Sequence, residues 1–157
     1  MMELYPSWKN AVRELLNTGL TFGSTLSRDH LISLCKIKPA TVVEDVRRFD
    51  LEVLQAVYSI KESLLTNHCM LLATDNGGGY IVLRPEDQTA YSIKTGTRAL
   101  KKEMGRMAKG VSFVQVGMLN DEQRKVNADA QAKISQLAGM MKPLRSELKQ
   151  LVNDADD

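Results

Sequence analysis

The stretch from residue 50 to residue 84 constrains the fold most, because its hydrophobic period changes from that of a helix to that of a strand. Its first half places apolar residues four, three and four positions apart, the spacing of one buried helix face over three turns: Val53, Val57, Ile60 and Leu64. Residues 70–73 and 80–83 are short apolar runs on either side of Asp-Asn-Gly-Gly-Gly, and Pro85 follows them. The sequence therefore predicts one long helix followed by two strands joined by a tight glycine turn.

Two shorter helices are predicted before this stretch. Residues 4–18 have the apolar spacing of an amphipathic helix. In the second helix, Ser27 is placed to cap the first turn while Leu26 packs on Leu31, and the helix should end near Lys36. The chain thus presents three helices before its hairpin.

A connector is expected between the second helix and the long one. Pro39 restricts the backbone of the residue before it and cannot donate a backbone hydrogen bond. The charged segment that follows has an apolar edge: Val42, Val43, Val46 and Phe49. We expect a single helical turn there.

Two long helices are predicted after the hairpin. Residues 87–114 carry an apolar seam, mostly at alternating steps of four and three: Ile93, Leu100, Met104, Met107, Val111 and Val114. The pattern breaks at residues 117–120, Asn120 can cap a new helix, and a second stripe runs until Pro143: Val126, Ala130, Ile134, Leu137 and Met141. These helices should pack as an antiparallel hairpin or embrace a second copy of the chain, and residues 144–152 can extend the array.

The composition indicates a soluble intracellular protein. A hydrophobic content of 43% over 157 residues is enough to fill a core. The first residues lack the features of a signal peptide, and no stretch approaches the roughly 18 apolar residues of a membrane span. Cys35 and Cys69 lie in apolar surroundings, which predicts small core residues and no disulfide. We expect a cytoplasmic protein without a membrane partner.

The order of helix, capped short helix, longer helix and two-stranded wing resembles the winged helix-turn-helix plan. The wing at residues 76–82 resembles the Gly-Gly-Tyr wing of response-regulator output domains, and residues 26–31 resemble the start of their second helix. Residues 22–140 are similar, more broadly, to small phage-encoded winged-helix proteins through three groups of residues: Gly79, Tyr80, Val82, Pro85 and Gln88; Asp121, Glu122, Gln123 and Arg124; and Leu137, Ala138, Gly139 and Met140. The resemblance implies a phage or prophage origin, a location in the host cytoplasm and a DNA-associated role.

These features predict a mainly α fold with a small β-hairpin. We expect a winged-helix domain at residues 1–86, a coiled-coil-like helical hairpin or dimerisation region at residues 87–152, and an acidic tail at residues 153–157. The net charge of the chain is only +2, but residues 1–86 carry a net −1 and residues 87–157 a net +3. The strongest positive field should therefore lie after the wing.

In winged helices of this type, the helix before the wing usually enters the major groove of DNA. Its outward face here would carry Glu52, Gln55, Ser59, Glu62 and Thr66, with Lys61 at one shoulder. Gln55 could pair with adenine, and Ser59 could touch a base or a phosphate. This face has two acids and no arginine, and Arg84 is the cation nearest to the wing, so its charge does not favour phosphate binding.

A basic helix after the wing is the better candidate for phosphate contact. Its cations are spaced three, one, four and three residues apart, so most share one flank of the helix: Arg98, Lys101, Lys102, Arg106 and Lys109. Arg47 and Arg48 could add a patch beside the connector. The alternative is that this flank is an ordinary solvated side of a coiled coil.

The sequence offers no motif for catalysis. The three consecutive glycines lack the GK[ST] and following helix of a phosphate-binding loop, and neither GxGxxG nor HExxH occurs. The cysteines and histidines lack the spacing of a metal site, so we expect no enzyme, metal or cofactor.

Two functions remain as hypotheses. The first is a non-enzymatic protein that binds double-stranded DNA in phage transcription or replication, with a helical hairpin that either forms a homo-oligomer or packs on the core. The second is a protein-interaction module on a winged-helix scaffold that binds a host protein or self-assembles. Two features motivate the second hypothesis: the acidic first domain and the adaptable methionines of the later helices. These methionines are Met104, Met107, Met118, Met140 and Met141.

Overall fold

The computed structural model of the protein describes residues 6–153, which form five α-helices, one short 3-10 helix and three β-strands. In chain order they are α1 (Ser7–Asn17), β1 (Thr25–Leu26), α2 (Arg28–Leu34), α3 (Val43–His68), β2 (Leu72–Thr74), β3 (Tyr80–Val82), α4 (Pro85–Ser112), the 3-10 helix (Val116–Met118) and α5 (Asp121–Asn153). The protein is mainly helical with one small sheet, and it divides into two compact units, Met1–Gln88 and Thr89–Asp157. The predicted start of α1 at residues 4–5 and the tail at residues 154–157 lie outside the described residues.

One hydrophobic core holds the first unit together. The face of α3 that the sequence predicts to be buried is buried, and it shares one core with residues of α1, α2 and the sheet. The other buried members include Ala11, Val12, Leu15, Leu31, Cys35, Leu72 and Val82. Trp8 of α1 is half-buried and packs against this core. Burial of apolar area on this scale is the main stabilising term for the unit.

The sheet has three strands, where the sequence predicts two. β1 pairs antiparallel with β3, placing Thr25 opposite Ile81, and β2 pairs antiparallel with the other side of β3, so the order is β1-β3-β2. β1 contains only two residues, which is too short to show the alternation of a strand. The sequence therefore missed it, because its pairing is visible only once β3 is in place.

Two glycines of the turn before β3 are required for different reasons. Gly78 has a φ of +82°, in the left-handed region that side chains with a Cβ rarely adopt. Gly79 does not have a positive φ, but a Cβ there would lie 2.8 Å from the carbonyl oxygen of Leu26. Gly78 is therefore required by its backbone conformation, whereas Gly79 is needed for the close approach of β1.

The predicted start of α2 is confirmed. The Oγ of Ser27 accepts a hydrogen bond from the backbone N–H of His30 at 3.1 Å, which satisfies one free donor of the first turn. Leu26 and Leu31 are both buried in the core. The helix ends at Leu34, close to the predicted position.

The predicted connector is present around Pro39 but is shorter than expected, because α3 begins at Val43 and continues to His68 without a break. Glu44 and Asp45 lie in its first turn, where carboxylates are favoured by the free N–H groups and the helix dipole. Val46 and Phe49 precede Val53 by helical steps, and Phe49 is half-buried against the core. The charges of this segment lie on the exposed sides of a helix and do not mark a loop.

The end of α3 is fixed by a left-handed residue and by a glutamine from α4. Cys69 has a φ of +54°, and the next backbone N–H, that of Met70, donates to the carbonyl of Leu64 at 3.0 Å. The side-chain amide of Gln88 donates to the carbonyls of Cys69 and Leu83, each at 3.2 Å. The first turn of α4 is thereby tied to the end of α3 and to the residue after β3.

The two cysteines differ, although the sequence predicts both to be core residues. Cys35 is buried, and burial raises the pKa of its thiol. Cys69 is exposed, because it forms the left-handed cap at the surface, so the prediction for this residue is wrong.

The second unit consists of α4 beyond Gln88, the 3-10 helix and α5. Asn120 and Gln123 form a reciprocal cap at the start of α5, with side-chain to backbone distances of 2.8 and 3.1 Å, as predicted for a helix beginning there. The amide of Gln131 donates to the carbonyl of Val111 at 2.8 Å, so the early part of α5 lies beside the end of α4. The predicted helix end at Pro143 is wrong, because α5 continues to Asn153 with the proline inside it.

Candidate nucleic-acid interface and an exposed apolar stripe

The five predicted cations of α4 lie together on one surface. They line a shallow depression of about 520 Å³ together with Gly105, and we call this surface the basic face: Arg98, Lys101, Lys102, Arg106 and Lys109. All five side chains are exposed. A Cβ built on Gly105 would meet no atom within 4 Å, so the glycine leaves open space between the cations. The helical spacing in the sequence is sufficient to produce this arrangement, because residues three and four apart share a side of a helix.

The basic face is poorly neutralised by its own chain. Arg106 forms an ion pair with Glu103, with 3.2 Å between Nη1 and Oε1. Within residues 6–153, no acidic side chain lies within ion-pair distance of the other four cations. Their positive charges therefore add, and the resulting field attracts a polyanion.

The polar residues of α3 that were candidates for reading bases lie where the helical pattern places them. Gln55 is exposed and Ser59 is half-buried. Glu52 and Glu62 are exposed on the same side, so the acidic character expected from the sequence is present at this surface. Thr66 donates a hydrogen bond from its hydroxyl to the carbonyl of Glu62 at 2.7 Å, which uses its donor within the helix.

Lys61, which the sequence places at one shoulder of the expected DNA-facing side of α3, contacts an aromatic ring of its own chain. Its Nζ lies 4.9 Å from the centre of the Tyr80 ring, in a cation–π contact between α3 and β3. The side chain is half-buried, and this desolvation lowers the pKa of its ammonium group. Lys61 therefore serves the packing of the sheet on α3, and a phosphate would have to draw it away from the ring.

The remaining candidate cations lie in the first unit, apart from the basic face along the chain. Arg47 and Arg48 are exposed in the early turns of α3, not beside a loop. Arg84 is exposed after β3, and its Nε would lie 3.9 Å from a Cβ built on Gly23. None of the three lines the depression on α4.

A second apolar side of α3 is the feature that the sequence analysis missed. Four large side chains are exposed on it, and we call them the α3 stripe: Leu51 at 62%, Leu54 at 66%, Tyr58 at 65% and Leu65 at 42% of their full accessible areas. They are spaced three, four and seven residues apart, which places them on one side of the helix. The signal was present in the sequence, but it overlaps the buried face of the same helix and was hidden by it.

The long helices of the second unit are apolar on one side without being buried. None of the residues 85–112 or 121–153 reaches a buried state, and the seam residues Leu100 and Met107 are both exposed. A coiled coil over these helices remains a prediction.

Other chemistry finds little support in the described part of the chain. Residues 6–153 contain no group of three or more His, Cys, Asp or Glu side chains that could hold a metal ion. Among the helices formed by these residues, none combines the length and apolar character needed to cross a membrane. Comparison with protein-family models, curated proteins and solved structures finds no match for the chain.

Proposed function

We propose that the protein is a non-enzymatic DNA-binding protein that holds the phosphate backbone of double-stranded DNA with the basic face of α4. The observation that supports this function is the convergence of five exposed cations on one depression, four of them without an acidic partner among the described residues. Phosphate neutralisation by lysine and arginine provides most of the affinity in sequence-independent DNA binding.

The dimensions of the basic face fit a duplex. Arg98 and Lys109 are separated by eleven residues, which corresponds to about 16 Å along a helix. The major groove of B-DNA is about 12 Å wide, so cations spread over this length can reach phosphates on both sides of it. Lysine and arginine on flexible stems tolerate the changing geometry of a sequence-independent contact.

The architecture of the first unit supports the same proposal. Its order of α1, β1, α2, α3, β2 and β3, with an antiparallel three-stranded sheet, fits the winged-helix plan. The proposed role, as suggested by the sequence resemblance, is in phage or prophage transcription or replication in the host cytoplasm. Base reading by Gln55 and Ser59 is a weaker part of the proposal, because two acids and the apolar α3 stripe lie on adjoining sides of that helix.

The test is binding of a fluorescent duplex of about 20 base pairs, followed by anisotropy at low salt. Lys101→Ala with Lys102→Ala should weaken binding about 10- to 100-fold, because two charge-assisted phosphate contacts are lost. The matched control is Lys142→Ala with Lys149→Ala, which removes the same charge from exposed positions of α5. Equal loss of affinity in both double variants would show that net charge alone, and not the basic face, determines binding.

A second candidate function is protein interaction through the α3 stripe. Monomeric soluble proteins rarely expose several large apolar side chains on one contiguous surface, and such surfaces commonly mark interfaces. The protein partner could be a host protein or another copy of the chain. A variant with a charge in the stripe separates this candidate from DNA binding, because it should leave the affinity for the duplex unchanged.

A further inference from the structure

We propose that the α3 stripe is a self-association surface, on which two copies of the chain pack their α3 helices antiparallel about a twofold axis at Tyr58. The inference rests on the second candidate function and specifies its partner. It is independent of DNA binding by α4.

The stripe is a continuous helix-packing seam. Lys61 occupies the position that completes the spacing of three, four, three and four from Leu51 to Leu65. Its ammonium group is turned to the Tyr80 ring, and the side chain is half-buried, so the charge does not interrupt the apolar surface. Alternation of three and four residues over this length is the pattern by which one helix packs along another.

The outer leucines of the seam are symmetric about its centre, whereas Leu54 and Lys61 lie four and three residues from Tyr58. Leu51 and Leu65 are each seven residues from Tyr58. In an antiparallel pair centred on Tyr58, the Leu51 of each copy therefore lies opposite Leu65 of the other, and the two tyrosines meet at the axis. A twofold interface requires one surface to be complementary to itself, and Leu51, Tyr58 and Leu65 satisfy that requirement, while Leu54 falls beside Lys61 and Glu62 of the other copy.

Charge favours the antiparallel arrangement over a parallel one. A parallel pair would place Arg47 and Arg48 beside their own copies, which is destabilising. In the antiparallel pair, Arg47 lies near position 69 of the other copy, where Cys69 ends α3. The free carbonyl groups at a helix end carry partial negative charge and attract a cation.

The exposed area of the stripe is that of a weak dimer. The exposed fractions of its four side chains correspond to roughly 450 Å² per copy, or about 900 Å² for the pair. This area lies just below the roughly 1,000 Å² of a specific interface, which fits a weak association. We therefore expect a dissociation constant of roughly 10 to 100 µM.

Sedimentation of the full chain between about 5 and 500 µM tests the association. The weight-average mass should rise from 17.5 kDa towards twice that value as concentration increases. Leu54→Glu should weaken self-association about 100-fold or more, because a carboxylate would be desolvated in the interface. Leu151→Glu is the matched control, since Leu151 is 64% exposed on α5, nearly as much as Leu54. Circular dichroism verifies that both variants stay folded.

Cross-linking tests the antiparallel register. In a chain with Cys69→Ser, which removes the exposed thiol, Tyr58→Cys should form a covalent dimer on mild oxidation. Leu51→Cys alone should not, because its two copies would lie about 21 Å apart along the helices. A mixture of Leu51→Cys and Leu65→Cys chains should link to each other.

Several results would overturn the inference. A mass that stays at 17.5 kDa over the whole range excludes self-association. Loss of the dimer in Leu151→Glu but not in Leu54→Glu moves the interface to α5, and efficient Leu51→Cys homodimers mean a parallel pair. A third result concerns a different protein partner. If the wild type does not self-associate but binds another protein in a 1:1 ratio, and Leu54→Glu does not bind it, this inference is wrong while the second candidate function stands. None of these outcomes alters the test of DNA binding.

Discussion

Replacement of Gly79 by alanine tests the packing of β1 against β3, on which the sheet of the first unit depends. The added Cβ would lie 2.8 Å from the carbonyl oxygen of Leu26 and 3.6 Å from the Cα of Ser27. Ordinary contacts of a Cβ are longer than about 3.4 Å, so β1 would have to retreat by about half an ångström. The atom it meets belongs to the backbone, which cannot rotate away as a side chain can.

The expected cost is about 1 to 3 kcal/mol, the usual range for an added methyl group in a tightly packed site. For a unit of this size it corresponds to a fall of very roughly 5 to 20 °C in Tm. Two neighbouring glycines are controls. Gly77→Ala should change stability little, because its Cβ would meet only the side chain of Asp75 at 3.8 Å. Gly78→Ala should cost about 1 kcal/mol through its φ of +82° alone.

Urea unfolding followed by circular dichroism measures the three differences. Amide hydrogen exchange measures the local stability of the β1–β3 pairing. The N–H of Gly23 donates to the carbonyl of Val82, and the N–H of Val82 donates to the carbonyl of Ser24, so these two amides report on it. Exchange at these amides should accelerate in Gly79→Ala and not in Gly77→Ala. If Gly79→Ala proves as stable as Gly77→Ala, with unchanged exchange, the steric explanation of this glycine is wrong.

Two further predictions concern the cysteines and the proline of α5. Cys69 should react rapidly with a thiol reagent at pH 8, whereas Cys35 should react only as the protein unfolds, because it is buried and its raised pKa leaves little thiolate; equal rates for the two thiols would contradict their different burial. Pro143→Ala should raise the thermal stability of α5 by up to about 3 kcal/mol, because alanine restores a backbone donor to the carbonyl of Gly139 within the helix; unchanged or lower stability on calorimetry would refute this.

The sequence predicted those parts of the fold that depend on local periodicity. The buried side of α3 follows from the regular spacing of Val53, Val57, Ile60 and Leu64, and the basic face follows from the spacing of cations on a helix. The capping residues Ser27 and Asn120 are also local signals. In each case, residues within two turns of one another determine the result.

The parts that were missed depend on contacts between distant residues or on overlapping patterns. β1 exists because β3 offers it a partner, and Lys61 is held by the ring of Tyr80 from another element. The first turns of α3 were missed because charges mask its apolar spacing before Val53. The continuation of α5 through Pro143 runs against the local preference of proline, and the surrounding helix outweighs that preference.

The proposals assign different tasks to α3 and α4. The helix before β2 and β3 carries an exposed apolar stripe and acids, whereas the helix after these strands carries the cations. A dimer formed through the stripe would possess two basic faces, and two linked sites bind a long duplex more tightly than one when both can engage it. Gln55 and Ser59 lie on the side of α3 next to the stripe, so such a dimer would hinder their contact with DNA bases. Leu54→Glu should leave the affinity for the 20-base-pair duplex unchanged and remove only the additional affinity of a dimer for a longer duplex.

The most direct test of the central claim is the salt dependence of duplex binding by the wild-type protein. Release of counterions by four or five phosphate contacts predicts a slope of about −4 for the logarithm of the binding constant against the logarithm of salt concentration. Affinity should then fall roughly 250-fold between 50 and 200 mM salt, and Lys101→Ala with Lys102→Ala should reduce the slope to about −2. A slope near zero, or no binding to the duplex at 50 mM salt, would contradict DNA binding by the basic face.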